Sequence, residues 1–173
     1  MSDNAVHSQP LLFTKTQQQE MDNSLMRLAD RIAAPLVLVT DVSGQLVMYR
    51  GRLSSSQCTA LAALAAGSFG AGVEMGNFLG LRGDNAFTQQ LHEGAAANLY
   101  TLAIGDELLM VITFTRRTTL GLVRVYAQTA RDEIMELVEV AKEARENASV
   151  ETGGMDEGFG SAVTHQLDEL FPD

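Results

Sequence analysis

Cysteine and positive charge are both scarce in this chain of 173 residues. A single cysteine, Cys58, cannot form an internal disulfide, which excludes a disulfide-stabilised secreted scaffold and fits a reducing compartment. Only 12 Lys and Arg residues accompany 22 Asp and Glu residues, so the net charge is −10. Nucleic acids and anionic membranes repel such a protein because they are negatively charged themselves. We therefore expect neither as a partner.

Targeting and membrane-spanning segments are also missing from the pattern. The chain does not begin with a basic segment followed by an apolar core, so no signal peptide is predicted. The uncharged stretch 53–73 is rich in Ala and Gly and is interrupted by Ser, Gln and Thr, so it is too weakly apolar to predict a membrane span. The apolar content of 46% is ordinary for one globular domain. The sequence predicts a cytoplasmic protein.

The acidic charge is concentrated at the C-terminal end of the chain. From Glu146 onward there are seven acidic residues and no Lys or Arg, which leaves about −3 for residues 1–145. Residues 147–161 are acidic, rich in Gly and poor in large apolar residues, which predicts a linker with a reach on the order of 20 Å. A short amphipathic helix is predicted at 162–171. Its apolar side consists of Val163, Leu167, Leu170 and Phe171.

Between a flexible leader at 1–13 and this tail, residues 14–146 carry the pattern of a folded domain. Helical spacing, apolar runs and strict alternation predict the order helix, two strands, helix, three strands, helix. This order predicts an α/β (α+β) sandwich of the profilin or longin kind, a five-stranded antiparallel sheet with helices on both faces. The strand at 87–92 alternates between apolar and polar residues, and we expect it at an unpaired edge.

The central helix has almost no charge. Serines 54–56 offer N-caps, Gly80 offers a stop, and Glu74 is the one charged residue between them. Such a helix must be covered on most sides, first by its own sheet and then by another surface. Its Gly-rich stretch 67–72 lacks the GK[ST] ending of a phosphate-binding loop and does not start a helix. The small residues instead allow the close approach of another backbone.

Candidate catalytic residues are isolated from one another. His92 has no other His or Cys at ligand spacing, which favours a turn or interface role over metal binding or acid–base chemistry. Arg116 and Arg117 open the last helix, where they either reach a partner's phosphates or simply solvate the helix start. We predict no catalytic site, no cofactor and no metal site.

Several short segments follow one another in a specific order along the chain. They are Val39-Thr40-Asp41 with Gly44-Gln45-Leu46, Leu61-Ala62-Ala63-Leu64 with Ala66-Gly67, Phe78-Leu79-Gly80, His92-Glu93-Gly94, Leu99-Tyr100, residues 116–124 and Leu167-Asp168-Glu169-Leu170-Phe171. In this order they resemble the roadblock/dynein-light-chain domain family. The resemblance is greatest to the bacterial MglB-type regulators of the Ras-like GTPase MglA.

This resemblance implies a homodimer in which the central helices of two subunits lie side by side and the sheets join at their edges. It implies a GTPase-binding platform of Ala63, Ala66, Gly67, Gly70, Ala71 and Glu74. It implies a dimer interface of Phe69, Val73, Phe87, Gln89 and Leu91. The tail residues Val163, Leu167, Leu170 and Phe171 would form a second partner contact. MglB-type proteins supply no arginine finger, so the implied role is to reshape the GTPase.

The leading hypothesis is a non-enzymatic, homodimeric regulator of a Ras-like GTPase in bacterial polarity or motility. It would stimulate GTP hydrolysis, with nucleotide exchange left open as a further activity. The alternative hypothesis is a scaffold dimer that anchors a GTPase or another complex without changing its chemistry. An independent enzyme or small-molecule sensor has the least support, because no nucleophile, base or metal cluster converges.

Overall fold

The computed structural model describes residues 11–170, with side chains described as far as Asn147. The elements are α1 (Lys15–Ile32), β1 (Leu36–Asp41), β2 (Leu46–Gly51), α2 (Ser55–Phe78), a 3-10 turn (Gly83–Asn85), β3 (Gln89–His92), β4 (Asn98–Ile104), β5 (Leu108–Phe114) and α3 (Leu120–Leu170). This order confirms the prediction. The chain divides into two units, Lys15–Glu136 and a second one that combines the residues before Lys15 with those from Leu137 onward.

The five strands form one antiparallel sheet in the order β2-β1-β5-β4-β3. The central strands β1 and β5 pair through Leu38 and Val111, and both strands are buried along most of their length. Burial on both faces explains their continuous apolar runs. The predicted edge strand is confirmed as β3, although it begins at Gln89, two residues after the predicted start at 87.

The unit Lys15–Glu136 has three layers. On one face of the sheet, Leu36 and Leu38 of β1 pack against Cys58 and Ala62 of α2. Alternation along the strand directs the side chains between them to the opposite face, where α1 lies. The buried residues of α1 are Met21, Ser24, Leu25, Leu28 and Ile32, and the buried residues of α3 in this unit are Val123, Ala127, Ala130 and Ile134. The core therefore lies on both sides of β1 and β5.

A polar bridge joins α1 to α3 on that face. The buried hydroxyl of Ser24 donates a hydrogen bond of 2.5 Å to the carboxylate of Glu133, which also accepts one of 2.6 Å from Arg27. Beside it, the guanidinium of Arg31 lies 6.0 Å from the ring centre of Tyr126. These residues line a groove of about 410 Å³ between the two helices. The bridge satisfies the hydroxyl of Ser24, which would otherwise lose its hydrogen bonds to water on burial.

The last helix differs from its prediction. Residues 147–161, predicted as a linker, are helical, and α3 continues without a break to Leu170. Glycine costs about 1 kcal/mol per residue relative to alanine in a helix but does not block it, whereas proline does, and α3 contains no proline. This corrects the predicted separation into a linker and a short helix at 162–171. The side chains of Val163, Leu167 and Leu170, all of Phe171, and most of the predicted leader 1–13 lie outside the described residues.

Candidate partner-binding surface

The ends of α2 are fixed by specific capping interactions. The Ser54 hydroxyl accepts a hydrogen bond from the backbone N–H of Gln57, and the Gln57 side chain accepts one from the backbone N–H of Ser54. At the other end, Gly80 has a φ of +77° and the N–H of Leu81 donates to the carbonyl of Gly76 at 2.9 Å. Both the predicted start and the predicted stop are confirmed.

One side of α2 packs against the sheet, and buried or half-buried residues recur along it every three or four positions. Its buried residues are Cys58, Ala62, Ala65, Ala66, Phe69 and Gly76. Ala66 and Phe69 form a cluster with Leu109 of β5, and their exposed fractions are only 5% and 9%. Ala66 was expected on the GTPase-binding platform and Phe69 at the dimer interface. The structure corrects both positions, because contact with their own sheet directs these side chains away from the outer side of the helix.

The opposite side of α2 is exposed and apolar, and we call it the α2 outer face. It holds five of the six predicted platform residues, namely Ala63, Gly67, Gly70, Ala71 and Glu74. It also holds three large apolar residues that were not predicted there. Leu64 is 72% exposed, Met75 58% and Phe78 91%. Leu64 lies three residues before Gly67, Met75 lies four after Ala71 and Phe78 lies four after Glu74. This spacing is the sequence signal that would have placed them on this side.

The glycines of α2 have different surroundings. A Cβ atom added to Gly67 or Gly70 would meet no atom within 4 Å, so both face open space. A Cβ atom at Gly76 would lie 3.2 Å from the ring of Phe87, so this glycine makes room for the aromatic side chain. The absence of a side chain at Gly67 and Gly70 serves no packing within the described residues. It leaves a shallow, small-residue surface that another molecule can approach closely.

The remaining predicted interface residues lie between the α2 outer face and the sheet edge. Val73 is half-buried beside the Ala66 cluster, and Phe87 packs over Gly76 with 42% of its surface exposed. On β3, Gln89 is exposed and Leu91 is half-buried. Phe87 lies just before β3 and contacts Gly76 near the C-terminal end of α2. This end of the helix and the free edge of the sheet therefore form one continuous surface.

A polar contact fixes β3 to α2. The Gln90 side-chain amide lies 3.5 Å from the backbone carbonyl of Ser68, and the Ser68 hydroxyl lies 3.4 Å from Nε2 of His92. Both distances are at the long limit for hydrogen bonds, and no described carboxylate orients the imidazole. The pair therefore lacks the arrangement of an activated nucleophile, and the predicted turn or interface role of His92 stays a prediction.

Two further observations bear on chemistry. Burial raises the pKa of the Cys58 thiol, which keeps it protonated and unreactive. Among the described side chains, no three His, Cys, Asp or Glu residues lie close enough to hold a metal ion.

By length and composition alone α2 could cross a membrane, with an 18-residue window of mean hydropathy 1.3 that is 28% buried. Helices that pack on a sheet meet the same criterion, and the cap at Ser54 and the contacts with β1 are those of such a helix.

Comparisons with known proteins agree with this geometry. The family model described as the Roadblock/LC7 domain matches residues 21–114. MglB of Myxococcus xanthus is 33% identical with a TM-score of 0.65, and the match covers 70% of this chain and 96% of that chain. The gliding protein MglB of Thermus thermophilus is 22% identical with a TM-score of 0.67, covering 75% and 96%. A Roadblock/LC7 domain from Streptomyces avermitilis is 20% identical with a TM-score of 0.55, covering 72% and 97%. No curated protein matched.

Proposed function

The chain belongs to the Roadblock/LC7 domain family, and from this premise we propose that it is a homodimeric, cytoplasmic regulator of a Ras-like small GTPase. The observation that carries the proposal is the α2 outer face. It is nearly uncharged, it exposes Leu64, Met75 and Phe78, and it is shallow at Gly67 and Gly70. Exposed apolar surfaces of this kind mark interaction sites. The similarity to MglB supports an MglA-type GTPase as the partner, with a role in polarity or motility.

Dimer formation uses the free edge of the sheet in this proposal. β3 has one paired side, toward β4, and its other side offers unpaired backbone groups. Pairing of two β3 strands would extend the sheet across both subunits and bring Phe87, Gln89, Leu91 and Val73 to the contact. The two α2 outer faces would then form one wider platform. We expect sedimentation at micromolar concentration to give twice the 18.6 kDa monomer mass, and a monomer there would remove the basis for the shared platform.

The proposed regulation is stimulation of GTP hydrolysis without a catalytic residue from this chain. The described side chains include no nucleophile oriented by a base and an acid, so the effect must come from repositioning groups of the GTPase itself. Arg116 and Arg117 are exposed just before the start of α3 and do not lie on α2. We therefore expect Arg116→Ala together with Arg117→Ala to leave the stimulation unchanged, whereas loss of an arginine finger would lower it by about 10³-fold or more.

Single-turnover GTP hydrolysis tests this function directly. An MglA-type GTPase loaded with GTP is mixed with increasing amounts of the full-length protein, and phosphate release is followed. We expect the rate to rise to a plateau with added protein. Binding of the GTPase without any change in the hydrolysis or exchange rate would contradict the proposal and favour a scaffold dimer.

A second contact through the C-terminal residues Val163, Leu167, Leu170 and Phe171 is part of the same proposal. Its basis is their apolar spacing in the sequence, which fits an amphipathic helix placed in a partner's groove. The double change Leu167→Asp and Phe171→Asp would introduce charge into that contact. We expect it to weaken GTPase affinity or exchange while the stimulation of hydrolysis is largely kept. Unchanged affinity and exchange would remove this contact from the proposal.

A further inference from the structure

One end of the sheet collects six of the ten arginines of the chain. They are Arg31, Arg50, Arg52, Arg116, Arg117 and Arg124, and we call this region the arginine end. The register of the strands brings them together, because Leu36 at the start of β1 pairs with Gly51 at the end of β2 and with Thr113 near the end of β5. The segments that follow β2 and β5, and the one that precedes β1, therefore meet at the same end of the sheet.

Each helix also contributes to the arginine end. α1 ends four residues before β1, α2 begins four residues after β2, and α3 begins six residues after β5. Arg31 in the last turn of α1 lies over Tyr126, and Arg124 is the fifth residue of α3. All six arginine side chains are exposed. The N-termini of α2 and α3 lie at this end as well and add partial positive charge.

Most of this charge is not neutralised by the described residues. Arg50 forms an ion pair with Asp22 of α1. Among residues 11–147, no carboxylate lies within ion-pair distance of Arg52, Arg116 or Arg117. The carboxylates of Asp41, Asp106 and Glu107 lie at the opposite ends of the same strands. A chain with a net charge of −10 thus has a concentrated positive surface, which is the reverse of its overall balance.

We propose that the arginine end binds a carboxylate-rich segment of a partner protein. The chemistry of the cluster favours this ligand, because each guanidinium presents parallel N–H donors that match a carboxylate in two hydrogen bonds. The chain has only two lysines, and the one in the unit Lys15–Glu136 is Lys15 at the start of α1, away from this end. The arginine end would thus give the domain a contact whose chemistry differs from that of the nearly uncharged α2 outer face.

A flat anionic membrane fits the same end less well. Asp30 near the end of α1 and Glu93 directly after β3 lie at the same end of the sheet, and their carboxylates would repel an extended negative surface. A narrow acidic segment covers less of this end than a flat membrane does, and it therefore meets fewer of these carboxylates. The observations therefore favour a protein segment over a membrane.

Fluorescence anisotropy with the full-length protein tests the proposal. The probe is a fluorescein-labelled peptide of alternating glutamate and serine, and its control contains glutamine in place of glutamate. We expect the glutamate peptide to bind, its affinity to fall with ionic strength, and the glutamine peptide not to bind. The double variant Arg116→Gln/Arg117→Gln should weaken binding by roughly 2- to 30-fold, the loss expected for two exposed ion pairs.

A charge-matched control separates a site from a general charge effect. Lys15→Gln/Arg82→Gln removes the same charge from exposed positions at the start of α1 and after α2. We expect this variant to bind the glutamate peptide like the wild type, and both variants to keep the wild-type melting temperature. Equal weakening by the two double variants, absence of peptide binding, or binding to phosphatidylglycerol vesicles in place of the peptide would overturn the proposal.

Discussion

Replacement of Gly70 by arginine should separate folding from partner binding. Gly70 lies in the interior of α2 on the α2 outer face, and a Cβ atom there would meet nothing within 4 Å. The domain itself therefore has room for any side chain at this position. A partner that packs against the α2 outer face does not, because the arginine would project into the contact and carry a charge into an apolar surface.

The two effects have opposite signs. Glycine is less favourable than arginine inside a helix by about 0.5–1 kcal/mol, so Gly70→Arg should stabilise the protein and raise its Tm by about 1–4 °C. Burying an unpaired charge at an interface costs several kcal/mol, and a loss of about 3 kcal/mol corresponds to an affinity roughly 100-fold lower. We expect a folded dimer that is more stable than the wild type and no longer stimulates the GTPase.

Two matched variants make the result interpretable. Gly70→Ala brings a similar gain in helix propensity but adds only a methyl group, so it should raise the Tm and keep GTPase binding. Ala66→Arg places the same side chain on the buried side of α2, against Phe69 and Leu109, and should destabilise the fold. Calorimetry gives the Tm, sedimentation the dimer, and phosphate release the stimulation. A folded Gly70→Arg dimer that stimulates hydrolysis like the wild type would refute the assignment of the partner site to the α2 outer face.

Three further changes test the energetics of the fold. Ser54→Ala removes the capping box of α2 and should cost about 1 kcal/mol, lowering the Tm by about 2–4 °C in calorimetry; an unchanged Tm would contradict this. Glu133→Ala leaves the buried Ser24 hydroxyl without its acceptor and should cost about 1–3 kcal/mol in urea unfolding, whereas a neutral change would mean that water replaces the carboxylate. Burial raises the pKa of the Cys58 thiol in the folded state above its ordinary value of about 9, so the thiol of the unfolded chain ionises first as the pH rises. The free energy of unfolding should therefore fall as the pH rises above about 9. Urea midpoints at rising pH, compared with Cys58→Ala, check this, and an identical pH dependence in both proteins would contradict it.

The order and type of the elements could be predicted because their local signals agree. Ser54 and Gly80 bound α2, and the apolar runs of β1 and β5 indicate strands buried on both faces. The rotation of α2 about its axis could not be predicted in the same way. Apolar residues occupy both sides of the helix, with Phe69 toward the sheet and Phe78 toward solvent, so there is no amphipathic contrast to read. For this reason the sequence did not show that Ala66 and Phe69 are buried against the sheet.

The extent of α3 depends on a balance that local composition does not decide. Residues 147–161 contain four glycines, which weaken a helix, but no proline, which would end it. Glycine content favours a linker, and the helix nevertheless continues because each glycine adds a cost without removing a hydrogen bond. A pattern of this kind predicts reduced helix stability better than it predicts a helix end.

The arginine end illustrates a feature that no local pattern can provide. Its residues are spread along the chain from Arg31 to Arg124, and only Arg116 and Arg117 are adjacent in sequence. The antiparallel register brings them together, since the end of β2, the end of β5 and the start of β1 coincide. Average composition indicates an acidic protein that repels anions, whereas the fold brings six arginines to one end of the sheet, where we propose an acidic partner segment. Partner chemistry in this domain therefore follows from topology as much as from composition.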